Sequence, residues 1–261
     1  MKNKMKTKNN LFSLKNKVVL ITGAGRGIGQ HLAEKIVEQN AIVYAIDKKF
    51  PKTSKRSMKN LFKIKCDITD QDAFKQVCVN IVRKKKRIDV LINNAGISQA
   101  NKQSGKPYAK NKWDETLEIN LTAHFSCSQE VIQYMKKRKQ GSIINITSIN
   151  AELGFPRNPA YVASKGGLKM LGKALAKDWG KYGIRVNNLG PGYIRTEMTK
   201  SSYSNKKLRE ERAKHTMLGR WGEKDDLVGP CIFLASDASK YITGQDVYVD
   251  GGWISNSIIT E

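Results

Sequence analysis

Three side chains in the second half of the sequence have the types and spacing of a proton-transfer set. Tyr161 and Lys165 are four residues apart in a segment of helical period, so on a helix they lie on one face. A phenol with a pKa of about 10 is a poor base at neutral pH, and a nearby ammonium group stabilises the phenolate and lowers that pKa. Ser148 stands 13 residues before Tyr161, at the end of a predicted strand. We expect its hydroxyl to hydrogen-bond a reacting oxygen, the alternative being a role in capping a turn. The pattern predicts acid–base chemistry at an alcohol or a carbonyl group, with Tyr161 transferring the proton.

A glycine-rich stretch near the start of the chain, TGAGRGIG at 22–29, follows the apolar run VVLIT at 18–22 and precedes a segment of helical period. Gly23 can make the tight turn after the strand, while Gly27 and Gly29 let the backbone approach a pyrophosphate and let the helix pack on the strand. The unpaired N–H groups at the start of the helix then face the phosphates. The residues that we expect to contact the cofactor from this loop are Gly23, Arg26, Gly27, Ile28 and Gly29.

An acidic residue ends the second predicted strand, as a dinucleotide site requires. Asp47 lies 20 residues after Gly27, where its carboxylate can accept hydrogen bonds from the 2′- and 3′-hydroxyl groups of an adenosine ribose. A 2′-phosphate would face the same carboxylate, so the sequence favours NAD over NADP. Arg26, Lys48 and Lys49 could offset that repulsion, and NADP is therefore not excluded.

Apolar runs alternate with helical segments along the whole chain. The strands are apolar at nearly every position, as in a parallel sheet that is covered on both faces. The chain is therefore predicted to be an α/β protein, a single-domain Rossmann-type doubly wound parallel sheet of about seven strands with helices on both faces. Residues 1–10 are predicted to be a mobile basic tail and residues 11–261 the domain. Strands are predicted at 18–22, 41–46, 61–66, 89–94, 142–148, 184–190 and 246–251, and helices near 28–38, 70–87, 112–138, 159–181 and 224–236.

Two stretches fit neither the helical nor the strand period, and both follow strand ends, where an open α/β sheet binds ligands. They are 97–111 and 193–222. The first could equally be an ordinary surface connection. The length of the second favours a substrate-binding lid, which determines the substrate.

Together these motifs resemble those of the short-chain dehydrogenase/reductase family, in its classical branch. The resemblance covers about residues 11–253 and includes TGxxxGxG in the glycine loop, NNAG at 93–96, the Ser148, Tyr161 and Lys165 set, and PGYIRT at 191–196. The segments 218–226 and 241–252 resemble the C-terminal part of that family. Two departures are Asn16, where the family commonly has glycine, and Gly190, where alanine is usual.

Further site residues follow from the resemblance alone. It implies that Asn120 is a catalytic residue that organises a water relay toward Lys165, and that Lys165 also bonds the nicotinamide ribose. It implies a homotetramer or homodimer, assembled through the two long helices and the last strand. The remaining cofactor contacts that it implies are Cys66, Asp67, Ile68, Asn94, Ala95, Gly96, Tyr161, Lys165, Pro191, Gly192, Ile194 and Thr196.

Composition limits the other function classes. No run of 18 apolar residues is present, the basic N-terminus lacks the apolar stretch of a secretory signal, and a cytoplasmic protein is expected. The four cysteines and three histidines show no metal-ligand spacing, so no metal site is predicted. The formal net charge is +24, and nearly half of the 47 basic residues lie within 1–17, 48–65, 83–87 and 136–139. We interpret this charge as a lysine-rich surface, since no nucleic-acid-binding motif or interleaved aromatic residues accompany it.

The function predicted from the sequence is an NAD(H)-dependent oxidoreductase that interconverts a secondary alcohol and a ketone on a sugar, a polyol or a hydroxy acid. One alternative is an NADPH-dependent 3-oxoacyl-carrier-protein reductase, whose acidic protein partner would be attracted by the basic surface. Asp47 counts against this alternative. Another is a nucleotide-sensing or nucleic-acid-binding module without catalysis, but such a protein need not keep Asn120, Ser148, Tyr161 and Lys165.

Overall fold

A seven-stranded parallel sheet forms the centre of the molecule. The computed structural model describes residues 10–51 and 58–256. The predicted basic tail therefore lies outside the described residues except for Asn10, and so do residues 52–57 and 257–261 of the predicted domain. The strands are β1 (Val18–Thr22), β2 (Ile42–Asp47), β3 (Leu61–Lys65), β4 (Val90–Asn93), β5 (Gly141–Ile146), β6 (Ile184–Pro191) and β7 (Asp246–Val249). Their order in the sheet is β3-β2-β1-β4-β5-β6-β7, with every neighbouring pair parallel. The predicted doubly wound α/β class is confirmed.

Helices cover both faces of this sheet because their apolar stripes pack on the strands. The α-helices are α1 (Gly27–Glu38), α2 (Gln71–Lys85), α3 (Lys110–Leu117), α4 (Ala123–Arg138), α5 (Pro159–Trp179), α6 (Lys200–Ser204), α7 (Lys206–His215) and α8 (Val228–Ala235). One core cluster joins α1 and α8 to the sheet through residues such as Leu32, Ile36 and Leu234. The other joins α2, α4 and α5 to the sheet through residues such as Phe74 and Val131. No helix in the described ranges is both long and apolar enough to cross a lipid bilayer.

The long helix predicted near 112–138 is interrupted. A π-helical turn, Glu118–Thr122, separates α3 from α4. The helix predicted near 224–236 begins with a 3-10 turn, Lys224–Leu227. Residues 193–222, which show no clear period in the sequence, contain the two short helices α6 and α7, neither of which has a buried residue.

The order of the strands determines where a ligand can bind. Connections run in opposite directions on the two sides of β1 and β4, which are neighbours in the sheet. At such a switch point the loops after the strands diverge and leave a crevice at the carboxyl ends.

Asn16, which stands where the family commonly has glycine, has a φ of 63°. This value lies in the left-handed region, which asparagine adopts more readily than most other residues with a side chain.

Candidate active site

A cleft of about 610 Å³ opens at the carboxyl ends of the strands. Every residue that the sequence predicted for the site lines this cleft except Gly29 and Asn120. Lys48, which could offset the repulsion of a 2′-phosphate, and Gln99 also line the cleft. The other lining residues follow the strand ends or stand next to a motif and had no signal of their own in the sequence: Ile97, Ser98, Ile119, Ile146, Thr147, Glu197, Met198 and Thr199.

The glycine loop joins β1 to α1 and has the backbone that a dinucleotide requires. Gly23 and Gly27 have φ values of 64° and 62°, in the left-handed region. The first residue outside α1 is Arg26, whose side chain makes no capping hydrogen bond, so the N–H groups at the start of α1 face the cleft without a side-chain cap. Asn94 donates hydrogen bonds to the carbonyl oxygens of Thr22 (2.9 Å) and Gly23 (3.0 Å), which ties the loop to β4.

Gly29 packs under the loop and does not line the cleft. A Cβ atom there would lie 2.3 Å from Asn94 Nδ2 and 2.4 Å from the Gly23 carbonyl oxygen. Such distances are far below van der Waals contact, so glycine is the residue that fits between helix and strand. The loop therefore keeps space for a pyrophosphate, and the residues present fit a dinucleotide.

Asp47 is held in a fixed position at the end of β2. Its Oδ2 accepts a hydrogen bond from the Gly25 N–H at 2.8 Å, and its Oδ1 accepts one from the Lys49 N–H at 3.0 Å. The carboxylate is therefore tied to the glycine loop, which lines the cleft. Arg26, Lys48 and Lys49 are exposed nearby.

Lys165 lies on the same face of α5 as Tyr161 and is almost fully buried. Its Nζ donates a hydrogen bond to the Ile146 carbonyl oxygen at 2.7 Å and lies 5.7 Å from the centre of the Tyr161 ring. Burial lowers the pKa of Lys165 to about 8, so the ammonium group still predominates at pH 7.

The pKa of Tyr161 moves in the direction opposite to our expectation. Burial raises this pKa above the ordinary value of 10, and the neighbouring Ser148 hydroxyl opposes the rise. The predicted depression by Lys165 is wrong for this structure, because removal of the phenol from water outweighs the other contributions. Tyr161 is consequently a neutral phenol at pH 7, which is the form that can donate a proton.

Ser148 combines the two roles that the sequence left open. Its hydroxyl accepts a hydrogen bond from the Asn150 N–H at 3.1 Å and so caps the 3-10 turn Ile149–Ala151. The same hydroxyl neighbours the Tyr161 phenol, whose pKa it affects. The turn thus fixes the Ser148 hydroxyl beside the group that can transfer a proton.

Asn120 lies in the π-helical turn, fully buried behind the wall of the cleft. Its Oδ1 accepts a hydrogen bond from the Ile97 N–H at 2.8 Å, and its Nδ2 donates to the Ile97 carbonyl oxygen at 2.9 Å and to Ser164 Oγ at 3.2 Å. A π turn inserts one residue into a helix and redirects the side chains around it, as often occurs at functional sites. The side-chain amide of Asn120 thus pairs with the backbone of Ile97, the residue that directly follows NNAG at 93–96.

His124 was not singled out by sequence reasoning, yet it is fully buried close to this set. Burial lowers its pKa to about 3, the Lys165 charge contributes, and an Ala95 backbone group facing the ring opposes the fall. Neither ring nitrogen has a hydrogen-bond partner of good geometry in the described structure. The ring is therefore neutral across the physiological range. Its only sequence signal is a histidine four residues after Asn120.

Comparisons with known proteins find relatives that match nearly the whole chain. The family model described as enoyl-(acyl carrier protein) reductase, of the short-chain alcohol dehydrogenase type, matches residues 23–254. A gluconate 5-dehydrogenase of Gluconobacter oxydans is 37% identical over 252 residues, which cover 93% of this chain and 96% of that protein. A 3-oxoacyl-[acyl-carrier-protein] reductase of Staphylococcus epidermidis is 35% identical over 244 residues, covering 91% of this chain and 98% of that protein. The solved structure of a gluconate 5-dehydrogenase from Burkholderia cenocepacia, in complex with NADP and tartrate, has a TM-score of 0.88 at 34% identity and covers 95% of this chain and 98% of its own.

Proposed function

The chain belongs to the short-chain dehydrogenase/reductase family and is an oxidoreductase that interconverts a secondary alcohol and a ketone with a nicotinamide cofactor; we propose that its substrate is a sugar acid and its cofactor NAD(H). The observation that carries the proposal is one continuous cleft. The glycine loop and Asp47 line this cleft together with Ser148, Tyr161 and Lys165.

Each residue of the proton-transfer set has a role in this proposal. The glycine loop and Asp47 would hold a nicotinamide dinucleotide, which would supply the hydride transfer to or from the substrate carbon. Tyr161 donates its proton to the ketone oxygen during reduction and accepts it back during oxidation. Ser148 hydrogen-bonds the same oxygen and stabilises its developing charge. Lys165 keeps a positive charge beside the phenol, and Asn120 holds the backbone at Ile97 that forms the adjoining wall of the cleft.

The preference for NAD(H) rests on Asp47. Its carboxylate is locked by two backbone N–H groups and cannot turn away from a 2′-phosphate without losing both hydrogen bonds. A ribose with free hydroxyl groups would instead add donors to a charged acceptor, which makes strong hydrogen bonds.

The sugar-acid assignment rests on similarity and on charge. Relatives named gluconate 5-dehydrogenase match nearly the whole chain. The polar residues Ser98 and Gln99 also line the cleft, beside the NNAG residues that follow β4. A net charge of +24 draws a carboxylate substrate toward the protein and raises its local concentration.

A second candidate is reduction of a 3-oxoacyl group carried on an acidic protein. A relative with that name is 35% identical, and the cleft is lined at the lid by Met198, a residue that is 56% exposed and could contact an acyl chain. The second candidate usually goes with NADPH, so cofactor choice separates the two.

The test combines cofactor titration with a substrate panel. Purified protein is titrated with NADH and NADPH while nicotinamide fluorescence is followed, with Asp47→Asn beside the wild type. We expect tighter binding of NADH, a preference that shrinks about tenfold or more in the variant, and oxidation of D-gluconate with NAD. Tighter NADPH binding together with reduction of a 3-oxoacyl thioester would instead support the second candidate.

We propose assembly into a homotetramer or homodimer in the cytoplasm, with the two long helices and β7 at the contacts. Phe125 on α4 and Met170 on α5 are 43% and 60% exposed, and every residue of the edge strand β7 is only partly buried. Apolar side chains at these places are typical of a surface that a second copy covers. Light scattering on the purified protein tests the proposal, and a monomer at micromolar concentration would contradict it.

A further inference from the structure

Gly190, one of the two departures from the family pattern, is packed against an aromatic ring. Gly190 on β6 and Tyr248 on β7 are register partners in neighbouring parallel strands. A Cβ atom on Gly190 would lie 2.4 Å from Tyr248 Cδ1 and 2.5 Å from its Cε1. The φ of Gly190 is not positive, so the backbone itself does not require glycine. The ring of Tyr248 therefore occupies the place that the alanine methyl group would fill.

The hydroxyl of Tyr248 reaches a loop on the far side of β6. It donates a hydrogen bond of 2.6 Å to Glu152 Oε1, which also forms an ion pair with Nζ of Lys169 on α5. The side chain of Glu152 is 33% exposed and that of Lys169 18%. These two partners hold the pKa of Glu152 below its usual range, Lys169 contributing most, so this carboxylate is charged at neutral pH.

The three side chains join the elements that carry the proton-transfer set. Glu152 directly follows the 3-10 turn that Ser148 caps, and its N–H donates to the Ile149 carbonyl oxygen at 3.0 Å. Lys169 stands one helical turn after Lys165, on the face that also carries Tyr161. Glu152 therefore connects the turn of Ser148 to the helix of Tyr161 and Lys165, while Tyr248 connects both to β7.

We propose that Tyr248, Glu152 and Lys169 are positioning residues that fix the Ser148 turn against α5, and that Gly190 is glycine because it accommodates Tyr248. The hydroxyl of Ser148 must stay within hydrogen-bond reach of the oxygen that Tyr161 protonates. A loosened turn moves Ser148 relative to Tyr161 and lowers the rate of proton transfer, while the distant glycine loop is unaffected. The proposal requires only alcohol–ketone chemistry and is independent of the sugar-acid and NAD(H) assignments.

The first test separates positioning from general stability. Tyr248→Phe keeps the ring and removes the hydrogen bond to Glu152, and Glu152→Ala removes the shared acceptor. For both we expect kcat to fall about tenfold, with unchanged nicotinamide binding and with faster hydrogen exchange of the amides at 149–153. Glu152→Gln keeps an acceptor oxygen and restores part of kcat. Tyr241→Phe, at a fully exposed tyrosine, is the matched control and leaves all three readouts unchanged.

The second test uses the packing of Gly190. Gly190→Ala displaces the Tyr248 ring and should reproduce the Tyr248→Phe effects. In a Tyr248→Val background, which removes the ring, Gly190→Ala should cause no further loss, because residues in direct contact are not additive. Additive losses, or an unchanged kcat and exchange rate in Tyr248→Phe, would overturn the proposal. Because the hydrogen-exchange measurement needs no substrate, it tests the positioning roles of Tyr248 and Glu152 even if D-gluconate is not turned over.

Discussion

The opposite pKa directions of Tyr161 and Lys165 predict that pH affects the two reaction directions differently. Ketone reduction requires the phenol and the ammonium group, so both residues must be protonated. Alcohol oxidation requires Tyr161 as phenolate while Lys165 remains an ammonium group. The pKa of Lys165 is lowered to about 8 and that of Tyr161 is raised above 10, so Lys165 titrates first.

For reduction, the active form predominates below pH 8 and is lost as the pH rises through the pKa of Lys165. With a pKa of about 8, the ammonium form makes up roughly 90% of the protein at pH 7 and roughly 10% at pH 9. We therefore expect kcat/KM for the ketone to fall about tenfold between pH 7 and pH 9.

For alcohol oxidation, the pH dependence of the rate has the opposite sign. The form with phenolate and ammonium is a minor species whose population grows with pH up to about 8 and then stays level until Tyr161 itself titrates. We expect kcat/KM for the alcohol to rise about tenfold per pH unit well below pH 8 and then to reach a plateau.

Initial rates of both reactions, measured with saturating cofactor and subsaturating substrate at constant ionic strength, provide the assay. The residual activity of Lys165→Met should be lower by about a hundredfold or more and should lack the change near pH 8. A change of the same sign in both directions, or one that persists in Lys165→Met, would refute the reasoning.

Three substitutions test the surrounding structure. Asp89→Ala removes a buried carboxylate that pairs with Arg87 and Arg138 and accepts a hydrogen bond from the Val18 N–H. We expect the free energy of unfolding to fall by about 3 kcal/mol and the Tm by about 5 °C. Asp237→Ala, at a carboxylate that is 58% exposed, is the control. His124→Leu removes two buried nitrogens that have no hydrogen-bond partner of good geometry in the described structure. Calorimetry should show a free energy of unfolding within about 1 kcal/mol of wild type or higher, and a loss above about 3 kcal/mol would contradict this. Gly29→Ala should weaken NADH binding by about tenfold or more, because the new Cβ meets the Gly23 carbonyl oxygen. Gly154→Ala, where the Cβ enters open space, should leave NADH binding unchanged. Equal NADH affinities of the two variants in fluorescence titrations would contradict this.

The sheet and the cleft were predictable because their signals are local in the sequence. Seven short β-branched runs gave the strands within about two residues, and the carboxyl ends of parallel strands necessarily meet at one edge. The glycine loop could be recognised since a strand precedes it, a helix follows it and Asp47 comes 20 residues after Gly27.

Other features depend on the folded structure and left no local signal. The π turn that holds Asn120 adds one residue to a helix without changing its overall apolar pattern. Helices α6 and α7 bury no residue, so they lack the apolar stripe that reveals a helix. The pKa of Tyr161 follows from burial, and the partners Glu152 and Tyr248 are 96 residues apart.

The proton-transfer role of Tyr161 is the central claim, and Tyr161→Phe tests it most directly. The variant keeps the ring but has no proton to transfer, so we expect kcat for ketone reduction to fall by about a hundredfold to ten-thousandfold. NADH binding, followed by nicotinamide fluorescence on the same preparation, should stay within about twofold of wild type because the glycine loop and Asp47 are unchanged. A variant that binds NADH normally and retains more than about a tenth of wild-type kcat would contradict the account.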